Sequence, residues 1–505
     1  MTPLSSGGYV YAMARGWPPH PAVYEINTWV WLNALSRGAG RRVTLADVPD
    51  DALARIADCR FDAVWLMGVW ERSAGARDVS RSVRALHDEY RRALPDYGVD
   101  DVVGSPYAVN QYRVDAVLGG DDGLATLRTR LARHGLRLML DFVPNHLAID
   151  HRWVAEAPER LVQGDERAIA AAPQNWFRRD ARIFAYGRDP YFDGWSDTVQ
   201  IDYRRADTRR AMRETLASVA ERADGARCDM AMLAMHDVFV STWGGDFDVP
   251  GTEFWPEAIA HVKKSHPDFL TMAEVYWDLE WRLQEQGFDY TYDKRPYDRL
   301  VHGDARNVRA HLGGDCAFQR RLARFIENHD EPRAMTALGP ERGGAAAVIT
   351  LTLPGLRLVH EGQMEGWRLK LPVQLGRRYD EPTDEGLPEF YRVLVRALAE
   401  PVFHEGAWRL LDPREAWNGN ASHHGFVLQQ WSHDGAHRLV VVNFSPVSGQ
   451  CFVPLGLPNV AEHRWRLRDV LGSAEYVRDG ADLATRGLYL DMPAYAFHLF
   501  ALEPA

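Results

Sequence analysis

Apolar and β-branched residues fall in short, nearly continuous runs that alternate with amphipathic stretches. The clearest runs are AVYEINTWVWL (22–32), DAVWLMGVW (62–70), LRLMLDFVPN (136–145), GARCDMAML (225–233), FLTMAEVYW (269–277), GFDYTYD (287–293), RFIENHD (324–330) and LRLVHEG (356–362). A half-exposed strand alternates apolar with polar residues, so runs this continuous fit strands buried on both faces. Between them, stretches such as 122–135 and 207–223 carry apolar residues at helical spacing. Eight such runs, with helical patterns between, predict a parallel sheet with crossover helices, closed as a (β/α)8 TIM barrel of the α/β class.

Spacing adds detail. One strand–helix unit takes about 30 residues. Asp330 to Glu361 is 31 residues, a bare unit, whereas Asp141 to Asp229 is 88, so a segment is inserted after the third strand. Residues 147–205, rich in Trp, Pro and Arg, are that segment, and the 73 residues from Gly68 to Asp141 imply a second long loop on the same C-terminal face. Beyond about residue 405 the runs at 425–431, 437–445, 451–455, 463–471, 487–492 and 496–502 read as short strands between turns. The expected division is a barrel of 1–146 and 206–404, an inserted subdomain of 147–205, and a C-terminal antiparallel β-sandwich of 405–505.

Composition removes several function classes. Apolar residues make up 46% of the 505, charged residues 26%, and the net charge is −11 with no basic patch, so nucleic acid is not an expected partner. Cys59, Cys228, Cys316 and Cys451 lie far apart and form no C-x-x-C pair, which predicts neither a zinc knuckle nor a disulfide scaffold. The N-terminal stretch has no charged start followed by an apolar core, and no segment is long enough to span a bilayer. A cytoplasmic protein without a membrane partner is expected. The 17 tryptophans suit sugar-binding clefts, where flat rings stack on pyranose C–H faces, although most are read as core.

In a barrel of this kind the reacting groups sit at the C-terminal ends of strands. Asp141, Asp229, Glu274 and Asp330 each fall at or near such an end. Carboxylates gathered on one rim raise one another's pKa, which is costly unless it is used. A retaining glycosidase uses it. One ionised carboxylate attacks the anomeric carbon, and a second carboxyl, kept protonated by negative neighbours, donates to the leaving oxygen.

The segments around these acids are DFVPNH (141–146), GARCD (225–229), AEVYW (273–277) and FIENHD (325–330). In order and in placement on the third, fourth, fifth and seventh strands, they resemble the four signature segments of the α-amylase superfamily, the family 13 glycoside hydrolases. The resemblance covers nearly the whole chain. It implies Asp229 as nucleophile, Glu274 as acid/base and Asp330 as the third carboxylate, which holds the sugar hydroxyls. It implies that His146 and His329 bind the same sugar, that Tyr107 forms the platform beneath it, and that Arg227, two residues before Asp229, orients the nucleophile. Asp141 would support the site through Arg227. His236 and Asp237 are read as ordinary helix or loop residues, and Trp277 as either packing or lining the leaving-group side.

The pattern departs from the family in places. Met232 and Leu233 stand where many amylases carry a Lys-His pair, and Glu331 follows Asp330 where Asn is commoner, either shaping the aglycone side or pairing with Arg333. Asn145 stands where calcium-binding members have a ligand, but six to eight oxygens do not assemble from this sequence. No metal and no cofactor are expected, with calcium the one ion left open. The resemblance implies a retaining hydrolase acting on α-glucosidic bonds of oligosaccharides or glucans. The alternatives are a transglucosidase, a trehalose-synthase-type isomerase or a disaccharide phosphorylase using the same site, and, from another class, a non-catalytic binding protein. The oligomeric state is not legible in the sequence.

Overall fold

The computed structural model describes residues 16–249 and 251–505. The reading of the N-terminal stretch falls mainly on residues 1–15, outside the described residues. Eight parallel strands close into a barrel: β1 (Ala22–Asn27), β2 (Ala63–Met67), β3 (Arg137–Phe142), β4 (Gly225–Cys228), β5 (Leu270–Ala273), β6 (Tyr290–Tyr292), β7 (Leu322–Arg324) and β8 (Leu356–His360). β1 pairs with both β2 and β8, which closes the ring. This is the expected TIM barrel, and each strand overlaps one of the apolar runs. Their side chains are buried almost throughout, as the unbroken hydrophobicity requires.

Two strands differ from the runs that announced them. β1 ends at Asn27 because the Asn27 side chain accepts from the Val30 N–H and caps a helix, Thr28–Ala39. TWVWL, read as strand, is therefore the first turns of that helix. β7 lies earlier than its run, and FIENHD continues from its end as buried irregular chain. There Asn328 Oδ1 accepts from the N–H groups of Asp330 and Glu331, both at 3.0 Å, and bends the backbone out of the sheet. Gly225 opens β4 because a Cβ there would meet the Leu270 carbonyl oxygen of β5 at 2.9 Å.

The long connections leave the C-terminal ends of the strands. After β2 come a hairpin of Trp70–Arg72 with Val109–Val114 and two helices, Ala74–Ser82 and Arg84–Ala93. After β3, His146–Ala148 pairs with Thr198–Gln200, and a three-stranded sheet of Gln163–Gly164, Arg182–Ala185 and Trp176–Arg179 lies between them in sequence. The C-terminal region holds a six-stranded and a three-stranded antiparallel sheet. Leu428, Val441, Trp465 and Phe500 from the first pack with Cys451, Val453 and Leu490 from the second. The sequence pattern missed Glu475–Asp479, an edge strand exposed at every residue, because its apolar pair Tyr476 and Val477 is too short and flanked by charges to stand out. It also missed the short helix Gly480–Thr485. No helix among the described residues is long and apolar enough to cross a membrane.

The C-terminal sheet is tied to a long helix of the barrel, Pro340–Leu351. Trp431 Nε1–H donates to the Thr352 carbonyl at 2.8 Å, and Gln429 donates to the Ile349 carbonyl at 3.1 Å. Trp431 is fully buried. Trp431→Ala removes a large ring and leaves that carbonyl unpaired. We expect a destabilisation of about 3–5 kcal/mol, read as a lowered thermal unfolding midpoint. An unchanged midpoint would mean that the sheet does not support the barrel.

Candidate active site

The site grows from the register of three adjacent strands. Arg227 pairs with Asp141 on β3 and with Met272 on β5. Side chains two apart on a strand share a face, so Asp229 follows Arg227, and Glu274 follows Met272, one step past the last rung at Cys228 and Ala273. Asp229 and Glu274 thus emerge side by side above a buried arginine. Asp330 approaches from the chain beyond β7, and Glu25 of β1 lies below it.

Arg227 is fully buried and organises these acids. Its Nη1 donates to Asp229 Oδ1 at 2.6 Å, and its Nη2 pairs with Glu274 Oε2 at 2.7 Å. Asp330 Oδ2 lies 3.9 Å from Nη2 and Asp141 Oδ1 lies 4.0 Å from Nη1. The rings of Trp65, Tyr107 and Tyr292 stand 5.1–5.8 Å from the guanidinium carbon. They supply π-faces to a guanidinium with no exposed surface.

Environment separates the acids. Burial raises Glu274, Arg227 opposes it, and the charges of Asp229 and Asp330 raise it further, to about 7. Burial also raises Asp229, with Arg227 pulling against it. Asp330 behaves differently: burial raises it, but the His329 imidazolium, with Arg227 and Lys370 beyond, outweighs this and holds it well below the usual carboxylate range. Its side chain is the open one, 44% exposed at the mouth. Burial pushes Asp141 up to about 6.

His329 is locked in place. Its Nδ1–H donates to Glu25, and its Nε2–H faces Asp330 Oδ2 at 3.0 Å and the Tyr107 hydroxyl. Burial alone would lower its pKa, but Asp330 and Glu25 carry it to about 10. Tyr107 stacks on the His329 ring, with centroids 5.5 Å apart. His146 is the opposite case, lowered to about 4 by burial and therefore neutral at pH 7. It stands against Trp195 of the inserted segment, at 5.1 Å. Asp229, Glu274, Asp330, Tyr107 and His146 line one cleft of about 350 Å³, together with Ser105, Trp195, Asp197, Thr198, Met230, Tyr276 and Gln374.

The structure thus brings together every candidate residue named from the sequence, with three adjustments. Asp141 reaches Arg227 only at 4.0 Å, and its Oδ2 instead accepts from the Gly68 N–H at 3.0 Å. Gly68 has φ +79°, a backbone that only glycine adopts freely, so Asp141 also fixes the turn after β2. Glu331 pairs with Lys294 at 3.2 Å, whereas Arg333 pairs with Glu327 at 2.6 Å. Asn145 does not fit a calcium site. Its Oδ1 and its carbonyl both accept from the Gln200 side chain, at 3.0 and 2.9 Å, and its amide faces His146. No group of three or more His, Cys, Asp or Glu among the described residues is placed to hold a metal ion. His236 and Asp237 open a helix, His236–Trp243, with Asp237 paired to Arg282 at 2.9 Å.

Sequence reasoning missed Glu25, Tyr276, Trp195 and Asp197. Glu25 was detectable in principle, as a lone acid inside an apolar strand run, and Tyr276 as a residue sharing the Glu274 face. Trp195 and Asp197 had no signal, because they reach the cleft only through the folding of the insertion.

The family model described as the α-amylase catalytic domain matches residues 52–370, and the chain belongs to this family, whose members form the α-amylase superfamily of family 13 glycoside hydrolases. It is 27% identical over 336 residues to an α-amylase of Haloarcula japonica, a match covering 64% of this chain and 45% of that protein. It is 21% identical over 398 residues to an α-glucosidase of Culex pipiens, covering 69% and 63% respectively. The matched region thus spans about half the length of such relatives. Among solved structures, a maltogenic α-amylase from Thermotoga neapolitana has a TM-score of 0.68 at 18% identity, over 96% of this chain and 99% of that one. A trehalose-6-phosphate hydrolase from Bacillus licheniformis has a TM-score of 0.66 at 13% identity, over 96% and 99%. These likenesses establish the fold.

Two predictions follow from the site's own geometry. A group whose pKa is raised on folding gives stability that is complete below its unfolded value and is lost as pH climbs to the folded one. The His329 contribution should therefore fade between about pH 6.5 and about 10. Glu25→Gln removes one of the two raising charges, so the fade should still begin near pH 6.5 but end at lower pH, seen in unfolding midpoints across that range. Identical profiles would disprove the charge coupling. Second, because the Asn145 oxygens are engaged by protein donors, the fold and any turnover should withstand EDTA. A loss restored by calcium would show another ion site.

Proposed function

We propose that this protein is a retaining α-glycoside hydrolase that cleaves α-glucosidic bonds of oligosaccharides or glucans by double displacement. The observation that carries the reading is the single Arg227 guanidinium holding Asp229 on one terminal nitrogen and Glu274 on the other. Carboxyls bound to one such fork stay close together, as a retaining pair needs at about 5–5.5 Å, rather than at the roughly 6.5–9.5 Å that admits a water between them.

In the first step Asp229 attacks the anomeric carbon. The bond to the leaving oxygen breaks, and Glu274 supplies that oxygen with a proton. With its pKa near 7, Glu274 is protonated in a sizeable fraction at neutral pH. In the second step the ionised Glu274 takes a proton from water, which displaces Asp229 from the sugar. The well-ionised Asp330 accepts from the sugar's hydroxyls, and His329, as a cation, adds a donor beside it. Neutral His146 donates from the opposite wall, and Tyr107 offers its ring face from below. Met232 and Leu233, both buried, replace the polar pair that many family members carry after the nucleophile. This supports a small oligosaccharide over a long glucan as substrate. The same reading takes 1–146 and 206–404 as the barrel, 147–205 as an inserted subdomain and 405–505 as a C-terminal β domain. The four unpaired cysteines support a reducing, cytoplasmic setting.

The deciding experiment is NMR product analysis on maltose, maltotriose, starch, sucrose and trehalose, with and without phosphate. Release of α-configured reducing sugar is the expected result. New disaccharides or a sugar phosphate would reassign the site to transfer or phosphorolysis, and no turnover on the panel would sink the reading. Asp229→Asn should fold normally and lose turnover by several orders of magnitude, because its amide is no nucleophile. A folded, active variant would overturn the mechanism.

A further inference from the structure

Glu274 has two oxygens in different company. Oε2 accepts from the Met230 N–H at 2.7 Å and pairs with Arg227 at 2.7 Å. A proton on Oε2 would point at donors, so the proton that Glu274 gives up must sit on Oε1. The group bound to Oε1 is the Tyr276 hydroxyl, at 2.8 Å, and Tyr276 lines the same cleft. Resting on the function proposed above, we infer that Tyr276 is a positioning residue that fixes Oε1 as the proton-carrying oxygen of Glu274 and holds the carboxyl toward the leaving group.

The backbone is bent to make this contact. Directly after Tyr276, Trp277 and Asp278 have φ of 63° and 64°. Two consecutive non-glycine residues in the left-handed region are rare and costly, and a bulky Trp there is an outlier. Both are held from outside the turn. The Trp277 ring meets the ring of Tyr191 from the inserted segment edge-on at 4.9 Å, and Asp278 pairs with Arg295. Asp189 braces the inserted side by accepting from the N–H groups of Tyr191 and Phe192, at 2.7 and 2.9 Å. The insertion and Arg295 thus both touch the turn that follows Tyr276.

The consequence is electrostatic as well as geometric. The groups facing Glu274 are Arg227 and the Met230 N–H, which favour its anion, and Asp229 and Asp330, which oppose it. Tyr276 joins the first set, since its O–H donates more strongly to the ionised carboxylate than to the acid. During the first step Oε1 keeps accepting from this hydroxyl on one lone pair while its own hydrogen points to the glycosidic oxygen. During the second step the hydroxyl steadies the carboxylate that receives the proton from water.

Tyr276→Phe keeps the ring and deletes the hydroxyl. The readout is kcat/KM on two substrates, since it reports the first step. Maltotriose needs a proton on its leaving oxygen; α-glucosyl fluoride needs far less acid assistance. We expect at least a tenfold loss on maltotriose and less than about a threefold loss on the fluoride. Without the hydroxyl, the anion loses a donor, so the alkaline limb of the maltotriose profile should move up by about one pH unit. Equal losses on both substrates, or an unmoved limb, would overturn the assignment while leaving the glycosidase reading intact. A wild-type protein inert toward both substrates would overturn the glycosidase reading, and this inference with it.

Discussion

One buried guanidinium sets the terms for the rest of the molecule. Arg227 has no exposure to water, yet Asp141, Asp229, Glu274 and Asp330 all stand within 4.0 Å of it. A charge in that position is stable only if paired and ringed by polarisable groups, and a half-dismantled cluster would leave an uncompensated ion costing about 3–5 kcal/mol. Glu25 and His329 add one more carboxyl and one more cation nearby. Carboxyls outnumber cations, so not all of them ionise together. The surplus resolves by position: Asp330, at the open mouth beside His329, keeps its charge, while Asp141 and Glu274, deep and near like charges, shift toward neutrality. Which carboxyl holds a proton is a consequence of that sorting.

The barrel makes the sorting reproducible. Strands β3, β4 and β5 are in fixed register, so Asp141, Arg227, Asp229 and Glu274 occupy set heights on adjacent staves. Main-chain bonds fix the two leading acids further: the Asp229 N–H donates to the Phe142 carbonyl at 2.8 Å, and the Glu274 N–H to the Cys228 carbonyl at 2.9 Å. The loops then add what the staves lack. The insertion brings Trp195 over the cleft against His146, and its Tyr191 meets the strained turn at Trp277. Rigid strands hold the charges, and loops hold the surfaces around the cleft, which is the usual division in this fold.

Much of this was legible in the residues. The eight strands could be read because strands buried on both faces must be apolar along their length. The boundaries were less legible where a polar side chain decided them locally, as with Asn27 capping a helix inside an apolar run and Asn328 folding the chain after β7. The site acids were visible because they interrupt or end hydrophobic runs, where an acid is expensive. Their supports were harder to see. The Glu25 and His329 partnership spans 304 positions in sequence, and no local pattern announces a contact so distant.

The sequence by itself determined the fold class, the order of the strands, and the identity of the carboxylates at the strand ends, because periodicity and spacing act over a few residues. It could not decide which carboxyl holds a proton. That depends on how much water each one loses and on which charges stand within a few ångströms, and those neighbours come from β1, from the chain beyond β7 and from the insertion. Only the tertiary structure placed Arg227 between Asp229 and Glu274, set Tyr276 against Oε1, and turned Asn145 toward Gln200. Proton affinities are long-range properties of a packed interior, whereas hydrophobic periods are short-range properties of a chain.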